Sequence, residues 1–227
     1  MTLSDTMWER SQAFLTITRP DGRADLYLWE HTARIARAAV RIAAIPEVSR
    51  FNPDTCAVEA AALFHNAAWV QRVEEDALPL GEVLVRPIQE GHYEVAATAL
   101  QAHLSDLIPQ ESLRTAAKAV RSMGDRGRDV LEGKIVSDAG SLDEFGIASF
   151  CRTVRVGLLD GFAIQAVIDR WHRRTEYDFW TARLNESFHF KVVRELAKSR
   201  LGALERLMAD LEREQLAADV EAVPEHT

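Results

Sequence analysis

Between Ala57 and Val70 the chain is apolar at every position except Glu59, His65 and Asn66. A run of that length is too short to cross a bilayer and too rich in Ala for a strand, so it predicts a helix buried on most sides. Such a helix needs other elements packed around it. The rest of the chain supplies them: alternating β-branched stretches are scarce, while Ala, Leu, Glu and Arg recur at helical spacing. The fold class expected is all-α, a helical array. Helices are predicted near 4–18, 27–44, 54–72, 90–106, 110–122, 129–140, 142–157, 160–173 and 186–216, separated by Pro and Gly breaks such as Pro20-Asp21-Gly22, Asn52-Pro53 and Gly124 to Gly127.

The 227 residues suffice for a sizeable core, and one domain is expected over 23–216, preceded by an N-terminal helix and linker (1–22) and followed by a flexible acidic tail (217–227). The formal net charge of −8 disfavours nucleic acid as a partner, since binding phosphate backbones needs clustered Lys and Arg. Cys56 and Cys151 lie far apart within apolar-periodic segments, which argues against a disulfide framework or a Cys-based zinc site and for a reducing compartment. Residues 1–19 carry Asp5 and Glu9 and lack the basic start, apolar run and small-residue cleavage site of a secretory signal. With no apolar run long enough for a bilayer, the expectation is a cytoplasmic protein without a membrane partner.

Three polar residues fall where apolar ones would normally sit. Leu28, Ile35, Ala38 and Ile42 make a stripe on which His31 fills the i+3 slot. Val58, Ala61, Ala62 and Trp69 share a face with His65. Ile135, Leu142 and Phe145 set a third stripe, and its i+3 position is Asp138. Each side chain is therefore expected to point inward. A buried charge is tolerated mainly when it is paired or bound to a metal, and one divalent cation would satisfy two imidazoles and a carboxylate together. Taken singly, each has a plainer explanation: a hydrogen-bonded core histidine, or an Asp that caps a helix or pairs with an Arg.

The order His31, then His65-Asn66, then Asp138 resembles the H…HD…D signature of the HD-domain superfamily of metal-dependent phosphohydrolases. The flanking text is similar as well: Trp29-Glu30-His31-Thr32-Ala33-Arg34, Ala60-Ala61-Ala62-Leu63-Phe64-His65-Asn66, and Lys134-Ile135-Val136-Ser137-Asp138-Ala139 through Leu142-Asp143-Glu144-Phe145-Gly146. The likeness covers roughly residues 25–215. It implies an HD-like helical bundle in which His31, His65, Asn66 and Asp138 hold a divalent metal, Mn, Mg or another ion. It further implies that His65, Asn66 and Asp138 serve catalysis through a metal-activated water. The partner implied is a small phosphorylated molecule, a phosphate ester or anhydride such as a nucleotide, with a homodimer as the assembly to test for. Arg34, Lys134, Arg200 and His92 are the candidate substrate contacts.

Three departures from the pattern bear on activity. Asn66 keeps an oxygen but lacks the charge of the usual Asp, so a hard cation is expected to bind less tightly. The stretch Ala119 to Gly124 has no histidine where relatives often carry one. Gly140-Ser141 stands where the branch commonly has Asp-Arg. Two function classes therefore stay open, a working phosphohydrolase and a catalytically degenerate HD domain that binds a ligand or protein. An iron oxygenase of this type would need further His ligands.

Other features have plainer readings. His92 and His103 share a helix face, one near its start and one at its rim. Asp169-x-x-His172 and Glu186-x-x-His189 have the spacing of di-iron bundles but lie in polar surroundings. Arg170, Arg173 and Arg174 read as a solvated basic face, beside a packing cluster of Trp171, Tyr177, Phe179 and Trp180. No phosphate-binding loop, dinucleotide fingerprint, nucleophile elbow or H-E-x-x-H pair occurs.

Overall fold

A computed structural model describes residues 2–127 and 129–221. The helices run α1 (Leu3–Leu15), α2 (Tyr27–Ala43), α3 (Pro46–Ser49), α4 (Thr55–Phe64), α5 (Ala68–Glu74), α6 (His92–Leu104), α7 (Gln110–Ser122), α8 (Leu131–Glu144), α9 (Ile147–Leu159), α10 (Ile164–Glu176), α11 (Phe179–Glu186), α12 (Lys191–Gln215) and α13 (Ala218–Glu221). Two-residue strands β1 (Ile17–Thr18) and β2 (Ala24–Asp25) form a short antiparallel ladder between α1 and α2, with Ile17 opposite Asp25. Among the described residues no helix is long and apolar enough to cross a membrane.

The chain divides into two compact units, residues 1–141 and 142–227. In the first, α4 is the central element: α1, α2, α6 and α7 all pack against it. Ala57, Val58, Ala60, Ala61, Ala62, Leu63 and Phe64 are all fully buried, as an almost unbroken apolar helix requires. Its one charged residue, Glu59, is accommodated by α1, whose Trp8 Nε1 (2.6 Å) and Ser4 hydroxyl (2.7 Å) both donate to Oε1. Asp54 caps the helix start by accepting from the Ala57 amide at 3.0 Å. Glu132, in the first turn of α8, accepts from the Asp54 amide at 3.0 Å and ties the start of α8 to the same place. Aromatic contacts seal the outer side of α4, with Phe64 stacked on Phe14 at 5.9 Å and on His103 at 5.8 Å.

The second unit is built on α12. Val167 and Ile168 from α10 pack with Leu204 and Met208 from α12, and Phe150, Trp171, Trp180, Leu207 and Leu211 extend the cluster. Phe145 lies against Trp180 and Phe188 at 5.6 and 5.4 Å.

Several predicted boundaries are corrected. The helix expected over 54–72 breaks at His65–Ala67. The break expected at Ser141 lies instead at Phe145–Gly146: Gly140 sits inside α8, where a helix propensity penalty of about 1 kcal/mol is too small to interrupt it. The last long helix begins at Lys191, and a separate α11 precedes it. Of the expected tail, Ala218–Glu221 is helical and 222–227 lies outside the described residues.

Candidate functional site

The break between α4 and α5 follows from one side chain. At a helix end the last four carbonyls lose their intrahelical partners. Here the His65 ring takes one of them, Nδ1 donating to the Ala62 carbonyl at 2.7 Å. The backbone beyond it tightens into i to i+3 bonds, Ala67 to Phe64 at 2.9 Å and Trp69 to Asn66 at 3.1 Å. A hydrogen on Nδ1 leaves a lone pair on Nε2, the state of a metal-ligating imidazole oriented by a backbone carbonyl. The adjacent Asn66 faces α2, its Nδ2 donating to the Thr32 hydroxyl at 3.1 Å. The amide oxygen stays available as a donor atom.

All four residues expected as ligands are buried. Asp138 is completely enclosed, Asn66 and His65 are 5% and 6% exposed, and His31 is 9% exposed. His31 lies beside Thr32 on α2, so the Asn66–Thr32 bond brings the doublet to the helix of the first histidine. The Arg34 guanidinium stands 3.3 Å from His31 Nδ1.

In kind, this donor set fits a hard or borderline divalent ion: two imidazoles, a carboxamide oxygen and a carboxylate, all withdrawn from solvent. In placement it is incomplete. Among the described residues no three His, Cys, Asp or Glu side chains are gathered so as to hold one ion. Of the acid-x-x-His units, His172 pairs with Glu212 at 3.1 Å on the surface.

The candidate substrate contacts fare differently. Arg34 stands against His31, as described. Lys134 is half-buried on α8. Arg200 lies on α12 in the second unit, exposed, and donates to the Leu142 carbonyl at 3.1 Å. His92 is 4% exposed, and neither ring nitrogen reaches a hydrogen-bond partner. Burial, then the nearby Arg72 cation, push its pKa down to about 4, with the His65 carbonyl opposing weakly. His92 is therefore neutral near pH 7. It also borders an open cavity of about 560 Å³ shared with Gln89, Tyr93 and Arg121.

Sequence reasoning missed two neighbours of His92. Trp69 packs edge-on to it at 5.2 Å, and the Arg72 guanidinium lies 4.8 Å from the Trp69 ring centre. Trp69 Nε1 and Arg72 Nε and Nη1 are buried without a hydrogen-bond partner. Unsatisfied buried donors of this kind are rare, and these three, on two side chains, are of the kind that would serve an oxygen-rich group. Their i, i+3 spacing was the only sequence signal.

No protein-family model and no curated protein matches the sequence. Solved structures do. YpgQ of Bacillus subtilis in complex with ADP aligns with a TM-score of 0.59 at 21% identity, covering 93% of this chain and 94% of that one. An HD-superfamily hydrolase from Bacillus thuringiensis aligns at 0.59 and 16%, covering 95% and 100%. An HD superfamily hydrolase from an uncultured Thermotogales bacterium aligns at 0.57 and 18%, covering 93% and 92%. The chain thus has the all-helical fold of the HD-superfamily hydrolases.

Proposed function

We propose that this chain is an HD-type phosphohydrolase that cleaves a phosphate ester or anhydride, with nucleotides as the first substrate class to test. His31, His65, Asn66 and Asp138 are the residues that would hold a divalent ion, Mn or Mg. Such an ion lowers the pKa of a bound water and offsets charge on phosphate oxygens. The observation that carries the reading is the His65-Asn66 doublet: it lies at a helix break inside the core, its His oriented by the Ala62 carbonyl and its Asn fastened to the helix of His31. The similar YpgQ structure with ADP supports a nucleotide as substrate. In this reading Arg34 and Arg72 offer guanidinium groups to phosphate oxygens, while Trp69 and the neutral His92 supply polar atoms still without partners. Lys134 is a further phosphate contact to test, and so is Arg200.

The test is metal analysis of chelator-treated, reconstituted protein, followed by a phosphate-release screen of nucleotides under Mn. Turnover that is lost in His65→Ala supports the reading. Absence of both bound metal and turnover sinks it.

A second reading has its own support. The carboxamide at Asn66, with no gathered acid and imidazole set among the described residues, favours a degenerate HD domain that binds a phosphorylated ligand without hydrolysing it. In that case nucleotides bind to the parent protein, no phosphate is released under any divalent ion, and Asn66→Asp gains metal affinity.

A further inference from the structure

The second unit contains a half-open cavity of about 370 Å³, within the ~300–1,000 Å³ range of small-molecule sites. None of His31, His65, Asn66 and Asp138 lines it. Its floor is apolar, formed by Val167, Leu204 and Met208. Its walls combine two kinds of side chain. Phe150, Trp171 and Trp180 give flat apolar surface, and the two indoles lie 5.3 Å apart at a 42° tilt. Arg152, Arg170 and Arg174 bring three guanidinium groups to the same space.

The charges do not balance. Glu144 is the one carboxylate among the described lining residues, and it is taken up in an ion pair with Arg183. Among the described residues, Arg152, Arg170 and Arg174 form no ion pair with a carboxylate. Arg174 instead lies against the rings of Phe179 and Trp180 at 5.0 and 5.9 Å, and Arg170 against Phe162 at 5.5 Å. Burial and the neighbouring Arg170 and Arg152 cations lower the Arg174 pKa, only partly offset by Glu144, a sign that the charge is held at a cost. Trp180 Nε1 is buried without a partner as well. The basic run that reads in sequence as a solvated face therefore divides: Arg173 is exposed, and Arg170 and Arg174 line an aromatic cavity.

Like charges crowded beside aromatic walls are relieved by an anion that also has a flat apolar part. Guanidinium forks match the oxygens of a phosphate, and the tryptophans match a ring. We propose that this cavity is a binding site for a small aromatic phosphate, separate from the candidate ligand set around His65.

The probe is phenylphosphonate, which cannot be hydrolysed, titrated calorimetrically into the full chain. Inorganic phosphate carries the charge alone and benzyl alcohol the ring alone, and each is expected to bind at least about tenfold more weakly. Arg170→Gln and Arg174→Gln should each weaken phenylphosphonate about tenfold or more, whereas His65→Ala should leave its affinity unchanged. Equal affinity in parent and arginine variants overturns the proposal, and so does loss of binding in His65→Ala alone. Should either arginine variant fail to fold, Arg152→Gln and a phenylphosphonate-soaked crystal of the parent decide. Density between Trp171 and Arg174 is expected; density elsewhere, or none, overturns the assignment.

Discussion

In the proposed ligand set, the carboxamide at position 66 offers an oxygen without the unit of charge that a carboxylate would bring. Restoring it by Asn66→Asp should tighten Mn binding by about tenfold or more, roughly 1.4 kcal/mol, as read by titration calorimetry. The Thr32 hydroxyl, now an acceptor, can turn to donate to the new oxygen, so the fold should survive the change. Unchanged affinity would remove residue 66 from the ligand set. His92 sets a different expectation. Its folded pKa of about 4 lies below the ordinary 6.5, so between these values the unfolded chain takes up a proton that the folded chain refuses. Stability contributed by the neutral ring is complete above about pH 6.5 and is lost as pH falls toward 4. Urea titrations across that window should show the decline, and His92→Gln should flatten it. At this scale the inward direction of His31, His65 and Asp138 was legible, because each replaces an apolar residue on a stripe. The orphaned donors of Trp69 and Arg72 were not, since their isolation depends on what packs around them from α6.

The elements that carry these residues are fixed by close backbone contacts. Gly127 has φ +71°, and a Cβ there would lie 2.2 Å from the Gly133 carbonyl carbon. Gly133 is enclosed in turn, since a Cβ on it would meet the Ser122 hydroxyl at 2.5 Å. This contact joins the end of α7 to the first turns of α8, the helix that presents Asp138. Gly127→Ala should therefore destabilise by about 2–3 kcal/mol, or more if the backbone cannot yield, measured as a lower urea midpoint. At Gly22 nothing lies within 4 Å, and the cost of an Ala there is confined to its left-handed φ of +79°. Phe64→Ala should cost about 3–5 kcal/mol, because a fully buried ring that also stacks on Phe14 and His103 leaves a cavity in the centre of the first unit. Most helices were readable from spacing, but α3 and α11 were not foreseen, and helix ends were not marked. Nothing local marks the stop at Phe64: neither Gly nor Pro is present, and the break comes from a histidine that captures a carbonyl. Gly140 misled in the opposite direction, since a glycine inside a well-packed helix need not end it.

For the whole molecule, the sequence conveyed the all-helical class and the HD resemblance, and solved structures with TM-scores of 0.57 to 0.59 share the fold. The cavity of the second unit was hidden, because a line of Arg and Trp residues reads as surface plus packing until the helices bring them together. A divalent ion that binds the folded chain and not the unfolded one must raise the melting temperature, by the equivalent of about 2.7 kcal/mol at a hundredfold excess over Kd. Thermal scans with and without Mn are expected to separate for the parent, to separate further for Asn66→Asp and to coincide for His65→Ala. The proposed function requires a place for a divalent ion at His31, His65, Asn66 and Asp138 in the HD-like core. Its most direct measurement is an anomalous difference map from a crystal grown with Mn. The account predicts one strong peak at bonding distance from His65 Nε2 with the other three residues around it; a map with no peak there, or a Mn ion bound only elsewhere, contradicts it.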